Sequence, residues 1–123
     1  MGHHKSAVRR KERRRNRSKK TSFAHPSRNR LVIHRSLKHF EAQVVDDSQG
    51  HTIFSASSKG KDFKLILKNN KSKMDLSEKV GEALAAKAKK MKIKSVVLDR
   101  NGYSYHGRVK AFVESVRKNG LNL

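Results

Sequence analysis

Cysteine is absent from this chain, and so are long apolar runs. The lack of cysteine excludes a disulfide framework, a thiolate metal site and a cysteine nucleophile, and it fits a reducing cytosol. No apolar run approaches the roughly twenty residues that a membrane-spanning helix needs. The opening residues, Met1 to Lys5, also lack the apolar stretch of a secretory signal. We therefore expect a protein that does not act in a membrane.

Catalytic and metal-binding motifs are equally scarce. The seven histidines show no ligand spacing such as His-x-x-x-His, and the chain has neither a Gly-rich phosphate loop nor a nucleophile elbow. Asp46, Asp47 and Asp99 fall at predicted strand ends and could converge on a metal for phosphodiester hydrolysis. A turn at Asp46-Asp47, and an ion pair or loop cap formed by Asp99 next to Arg100, explain them more simply. The sequence therefore predicts no enzyme, no cofactor, no metal site and no small-molecule substrate.

Acidic residues are few, and their scarcity leaves a large positive charge. Lys and Arg number 31 against 10 Asp and Glu, which gives a formal net charge of +21. Residues 1–30 hold twelve of the basic side chains and a single acid, Glu12, for a net charge of +11. A compact body with such a surplus repels itself, so a polyanion that cancels the repulsion is the expected partner. Nucleic acid is the first hypothesis.

Residues 1–28 are predicted to form a basic arm ahead of a globular domain that covers residues 29–123. The run of cations from Arg9 to Lys20 has no apolar periodicity, so mutual repulsion should keep the arm disordered in the free protein. On RNA, its arginines could insert among phosphates and the arm could fold into a helix. A solubilising tail or a localisation signal is the alternative. The RNA contacts predicted in and beside the arm are Arg9, Arg10, Arg13, Arg14, Arg15, Arg17, Lys19, Lys20, Arg28 and Arg30.

The globular domain opens with three segments that have the composition of strands. They are residues 31–35, the alternating segment 40–44 and residues 52–56. A turn cluster over residues 46–50 joins the last two as a hairpin. Three antiparallel strands in succession are therefore predicted, while residues 57–73 stay undecided between a short strand, a helical turn and loop.

Two helices and one more strand complete the predicted fold. The first helix is predicted to start at an N-cap, Asp75, with Glu78 completing a capping box, and Gly81 is expected where this helix presses on the sheet. Its apolar stripe is Leu76, Val80, Leu84, Ala88 and Met91. The short run 95–98 does not alternate, as expected of a strand covered on both faces, and the crossover helix before it indicates a parallel strand pair. A last helix with apolar residues from Val109 to Val116 should stop near Asn119-Gly120. The sequence thus predicts an α/β fold, a mixed sheet with helices against it.

Two segments of the domain combine cations with groups suited to RNA. Segment 99–110 leaves the carboxyl end of a strand and enters a helix, whose N-terminal N–H groups attract phosphate. Its tyrosines could stack on bases, or one or both could pack against the core. Its predicted contacts are Arg100, Tyr103, Tyr105, His106, Gly107, Arg108 and Lys110. The link between the first two strands adds Arg35, Ser36, Lys38 and His39, unless it is an ordinary solvated turn.

With these segments in order, the chain resembles the bacterial large-subunit ribosomal protein eighteen family, the 5S rRNA-binding proteins of the central protuberance. The resemblance covers about residues 29–123, and the arm matches in character only. It rests on the segment from Val97 to Ala111, on Arg35-Ser36-x-Lys38-His39 and on the run from Ala42 to Asp47. Three matches in the same order are far more specific than any one of them.

The resemblance implies a structural role without catalysis on the cytoplasmic ribosome. It implies that the protein links 5S rRNA to the large-subunit rRNA, with the arm between them and other ribosomal proteins as neighbours. The family's usual residues differ at four positions: His34 replaces an aromatic or apolar residue, Leu37 an Asn, Lys92 a Gly and Leu123 a Phe. A DNA-compacting protein with a basic tail is the alternative, but it would need repeated or dimeric basic surfaces.

Overall fold

The computed structural model describes residues 2–18, 27–59 and 73–123. In chain order the elements are α1 (Gly2–Ser18), β1 (Asn29–Arg35), β2 (Phe40–Asp46), β3 (His51–Ser57), α2 (Lys73–Lys90), β4 (Val96–Asp99) and α3 (Arg108–Lys118). The undecided stretch 57–73 supplies the end of β3 and the start of α2, and its residues 60–72 lie outside the described residues.

The four strands form one mixed sheet in the order β3-β2-β1-β4. The pairs β1–β2 and β2–β3 are antiparallel, and β4 runs parallel to β1, so the predicted fold class is confirmed. The sequence left open which strand β4 would join. Because β4 lies beside β1, with Val32 opposite Asp99, the carboxyl ends of these two strands reach the same edge of the sheet. This pairing decides which loops become neighbours.

One face of the sheet and helices α2 and α3 enclose the core. Leu31, Ile33 and Phe40 are fully buried on this face, and the Phe40 ring lies 4.9 Å from the ring of Phe112 in α3. Burial of a side chain of this size contributes about 1.5–3 kcal/mol, so each of these residues stabilises the sheet–helix contact. The alternation along β1 and β2 thus fixes which face the helices cover.

The apolar stripe of α2 is confirmed for Leu76, Val80, Leu84 and Ala88, which are all buried. Met91 lies beyond the end of α2 and is half exposed, so it does not belong to the stripe. Gly81 presses on α3 rather than on the sheet. A Cβ at this glycine would lie 2.9 Å from the Phe112 carbonyl oxygen and 3.0 Å from Ser115 Cβ. The glycine therefore sets the distance between the two helices.

Helix α2 begins earlier than predicted, and Lys92, where the family usually has glycine, follows its end. The helix begins at Lys73, so Asp75 lies in the first turn and is not the N-cap. At the other end Lys92 adopts a left-handed φ of 59°. The Lys92 N–H donates a hydrogen bond to the Lys89 carbonyl oxygen, and the Ile93 N–H donates to the Ala88 carbonyl oxygen. This is a Schellman motif, which favours glycine at the left-handed position.

The arm contains a helix in the structure. Residues 5–17 of α1 are all exposed, and its last turn carries Arg15 and Arg17, where the helix dipole favours cations. The helix is the conformation expected for the RNA-bound arm. Disorder of the free arm stays a prediction. Of the predicted contacts beside it, Lys19 and Lys20 lie outside the described residues.

Candidate nucleic-acid interface

The two candidate segments, far apart in sequence, meet at one edge of the sheet. Arg108 at the start of α3 donates a hydrogen bond from Nη1 to the Ser36 carbonyl oxygen over 2.7 Å. The Tyr103 hydroxyl lies 3.4 Å from both the backbone nitrogen and the carbonyl oxygen of Arg35. Since β1 and β4 end at the same edge, the loop that follows each strand emerges beside the other. The structure thus joins residues 35–39 and 100–108 into one surface.

The turn between β1 and β2 is held closed by its own hydrogen bonds. The Ser36 N–H donates to the His39 carbonyl oxygen over 2.9 Å, and the His39 N–H donates to Ser36 Oγ over 3.1 Å. The tip of this turn presents Leu37 and Lys38, and Leu37 is 81% exposed. The family departure at position 37 therefore places an apolar side chain at the exposed tip of the turn.

Ser58 supports this turn from below, and sequence reasoning missed it. It is fully buried, and its Oγ accepts the Phe40 N–H over 2.9 Å and lies 3.0 Å from His39 Nδ1. One buried hydroxyl thus contacts both the backbone of Phe40 and the ring of His39. No local signal distinguishes this serine from its neighbours Ser55 and Ser57.

Tyr103 has a structural role in the surface. Its side chain is half-buried against the core, and the Arg35 guanidinium carbon lies 5.0 Å from the centre of its ring. Tyr103 thus packs against the core, and its contact with RNA stays a prediction. Tyr105 is 38% exposed and its neighbour His106 is exposed as well, so both side chains are open to a base.

The start of α3 carries unbalanced positive charge. Gly107 precedes the helix with a φ of 59° and provides no side-chain cap. Burial lowers the pKa of Arg108, and the charge of Arg35 lowers it further against an opposing effect of Tyr103. Within the described part of the chain, neither arginine has a carboxylate partner. Lys110, in the first turn of the helix, is exposed and lies 4.0 Å from Glu114. The site would be stabilised by an anion.

Arg30, by contrast, is neutralised inside the protein. It donates from Nη1 to Asp99 over 2.9 Å, and from Nε and Nη2 to the two oxygens of Asp47 over 3.2 and 3.0 Å. Asp99 is only 2% exposed, so this arginine balances a buried carboxylate. An RNA contact by Arg30 remains a prediction, but the ion pairs with Asp47 and Asp99 already give this arginine a structural role. Arg28, two residues earlier, is exposed.

The carboxylates weighed for metal catalysis are explained by these contacts. Asp47 and Asp99 converge on the Arg30 guanidinium, and Asp46 accepts hydrogen bonds from the Ser48 backbone N–H and hydroxyl. Those bonds lower the pKa of Asp46, the Ser48 hydroxyl contributing most. Among the described residues there is no group of three or more side chains that could hold a metal ion.

The arm helix extends the surface. Arg10, Lys11 and Arg14 of α1 face Arg35 and Arg108 across a cleft of about 660 Å³. On the other side of Gly102, a second cleft of about 610 Å³ is lined by Arg14, Arg17 and Arg100. None of the described residues that line the two clefts is acidic. Of the remaining arm arginines, Arg15 bonds to Asn101, whereas Arg9 and Arg13 line neither cleft.

In the parts of the chain that the structure describes, no helix combines the length and apolarity needed to cross a membrane. The surface at the ends of β1 and β4 is instead a polar one, built from cations, an exposed tyrosine and a helix N-terminus.

Known proteins with similar sequences are ribosomal proteins. A family model described as ribosomal L18 of archaea, bacteria, mitochondria and chloroplasts matches residues 5–123. The large ribosomal subunit protein uL18 of Staphylococcus haemolyticus is 54% identical over 92 residues, covering 75% of this chain and 74% of the relative. The uL18 protein of Chloroherpeton thalassium is 53% identical over 94 residues (76% and 77%), and that of Aquifex aeolicus is 46% identical over 111 residues (89% of each).

The family model covers most of the arm as well as the globular domain, which extends the resemblance beyond residues 29–123. These matches confirm the expectation of a structural protein rather than an enzyme, because the family consists of ribosomal proteins. The chain therefore belongs to the ribosomal L18 family.

Proposed function

We propose that this protein is a structural constituent of the large ribosomal subunit that binds 5S rRNA and helps to attach it to the large-subunit rRNA. Its place of action is then the cytoplasmic ribosome, with neighbouring ribosomal proteins as further partners. The relatives' names describe large-subunit proteins, and the family resemblance supplies the choice of 5S rRNA.

One observation carries the proposal: the two family segments form a single surface whose central arginines have no carboxylate partner among the described residues. Arg108 bonds to the Ser36 carbonyl oxygen and Arg35 lies over the Tyr103 ring, so both guanidinium groups are held in place before any ligand arrives. A guanidinium fixed in this way loses little side-chain entropy when it binds phosphate. The surface thus favours a folded polyanion with defined phosphate positions.

A competition experiment tests this proposal. Full-length protein is bound to labelled 5S rRNA at about 0.2 M salt, where purely electrostatic affinity has largely fallen away. The competitors are unlabelled 5S rRNA, an unrelated folded RNA of equal length and duplex DNA of equal charge. We expect only 5S rRNA to displace the label efficiently. Equal competition by duplex DNA would instead support a general nucleic-acid-compacting protein, and equal competition by both would remove the proposed specificity.

A further inference from the structure

A groove separates the arm helix from the globular domain, and cations line both of its walls. Arg10, Lys11 and Arg14 project from α1, while Arg35 and Arg108 stand on the opposite wall. No acidic side chain is found among the described residues that line the groove. The groove lies on top of the surface formed by residues 35–39 and 100–108, so it continues the candidate interface onto the arm.

Backbone contact brings the arm helix to this position. Gly102 lies against α1, and a Cβ built on it would stand 3.0 Å from the Arg15 nitrogen and 3.3 Å from the Arg15 Cα. The adjacent Asn101 accepts a hydrogen bond from Arg15 Nε over 3.2 Å. Few apolar contacts are available to this helix, because its residues 5–17 are all exposed. The Gly102 turn and the backbone of α1 therefore approach each other closely, but the contact buries little apolar surface.

Electrostatics oppose the docked arrangement when no anion is bound. The cations of α1 face two arginines that are already fixed by Ser36 and Tyr103 and cannot turn away without breaking those contacts. Charges of one sign on two walls repel, and the repulsion grows as water is excluded between them. A chain of phosphates placed between the walls would reverse the sign of this interaction.

We infer that an RNA strand passes through this groove with its phosphates clamped between the arm helix and the globular domain, and that α1 docks on the Gly102 turn as the RNA binds. The inference rests on the proposed function, and it adds where the strand runs and which face of the arm meets it. Arginine forks on both walls suit phosphate oxygens, which they bind in bidentate fashion. A freely wrapping arm would make no such distinction between its faces.

The first test compares two double variants that remove the same charge from the same helix. Arg10→Ala/Arg14→Ala strips the groove face, and Arg9→Ala/Arg13→Ala strips arginines that line neither cleft. Binding of the full-length protein to isolated 5S rRNA is measured from about 0.05 to 0.3 M salt. The groove variant should lose at least about tenfold more affinity than the control variant. The slope of log affinity against log salt concentration should become shallower by about two in the groove variant and by less than about one in the control. Equal losses in the two variants would overturn the clamp, since a disordered polycation responds only to total charge.

The second test reports docking directly. Because the chain has no cysteine, Ser6→Cys and Ala86→Cys introduce a unique pair of sites, both exposed, for spin labels. We expect a broad distance distribution in the free protein and a narrow one with 5S rRNA. Adding Gly102→Ala, where φ is +85° and the new Cβ meets α1, should keep the distribution broad. Gly50→Ala is the matched control, because its φ is +68° but nothing lies within 4 Å of the new Cβ.

The outcomes separate failure of the clamp from failure of the proposed function. If the wild-type chain prefers 5S rRNA but Gly102→Ala and Gly50→Ala give the same narrow distribution, the clamp is wrong and the function stands. A narrow distribution in the free protein would likewise contradict docking that depends on RNA. If polyglutamate narrows the distribution as well as RNA does, the occupant is an acidic polypeptide and the RNA strand is excluded. Loss of 5S rRNA preference in the wild-type chain would instead remove the function itself.

Discussion

Replacing Arg108 by alanine removes the side chain that joins the two segments of the interface. Its Nη1 atom donates to the Ser36 carbonyl oxygen over 2.7 Å, and its guanidinium lies at the start of α3 beside Arg35. A hydrogen bond to a charged group contributes about 1.5–3 kcal/mol when it is well shielded. Arg108 is only half-buried, so we expect the free energy of unfolding to fall by about 1 kcal/mol, which is less than a well-shielded bond of this kind contributes.

The loss in RNA affinity should be larger than the loss in stability. Removal of a charged phosphate contact costs about 1–3 kcal/mol, which corresponds to a roughly five- to 150-fold weaker binding of 5S rRNA. Arg108→Lys should fall between wild type and alanine, because an ammonium group keeps the charge but not the planar fork that can bind the carbonyl and a phosphate together.

Filter binding and chemical unfolding of the same variants test this reasoning. Arg117→Ala serves as the control, since Arg117 is exposed in the last turn of the same helix. The control should bind 5S rRNA within about threefold of wild type, as expected of a surface arginine outside the interface. An Arg108→Ala variant with unchanged affinity would remove this residue from the site. A loss of affinity that is matched by Arg117→Ala would mean that total charge, not position, governs binding.

Further predictions concern the fold that supports the interface. Lys92→Gly should raise the free energy of unfolding by about 0.5–1 kcal/mol, because the left-handed backbone at this position favours glycine; a decrease on chemical denaturation would contradict this. Ser58→Ala should lower it by about 1–3 kcal/mol, since a buried backbone N–H of β2 loses its acceptor, whereas the more exposed Ser57→Ala should cost less than about 0.5 kcal/mol. The pKa of Asp46 in the folded chain lies below its ordinary value of 3.8, so this carboxylate stabilises the fold at pH values above 3.8. The contribution is lost as the pH falls through the lowered pKa. Ser48→Ala should move the NMR-measured pKa of Asp46 up toward 3.8, and an unmoved value would show that the Ser48 hydroxyl is not the main cause.

The elements of the domain could be predicted from the sequence because their signals are local. Alternation in residues 40–44 and the stripe from Leu76 to Ala88 report directly which side of each element is buried. The contact of Gly81 with α3 could not be found in this way, because a glycine indicates close approach without naming the neighbour. The position of β4 was open for a similar reason, since strand order depends on long-range pairing rather than on local composition.

The local parts of the candidate site could likewise be predicted from the sequence, but their assembly into one surface could not. Residues 35–39 and 99–110 were each identified from charge and side-chain type, but only the pairing of β4 with β1 shows that they are one surface. Arg30 illustrates the limit of composition, since nothing in its immediate sequence shows that Asp47 and Asp99 converge on it. The unpatterned cations of the arm gave no reason to distinguish Arg10 from Arg9, because a helical face exists only once the helix has formed.

Nuclease footprinting of the full-length protein on isolated 5S rRNA at about 0.15 M salt tests most directly whether the protein binds 5S rRNA through a defined surface. We expect a limited, reproducible set of protected nucleotides, and selective loss of part of that set with Arg108→Ala. An absence of protection, or weak uniform protection that an unrelated folded RNA shows equally, would contradict this expectation.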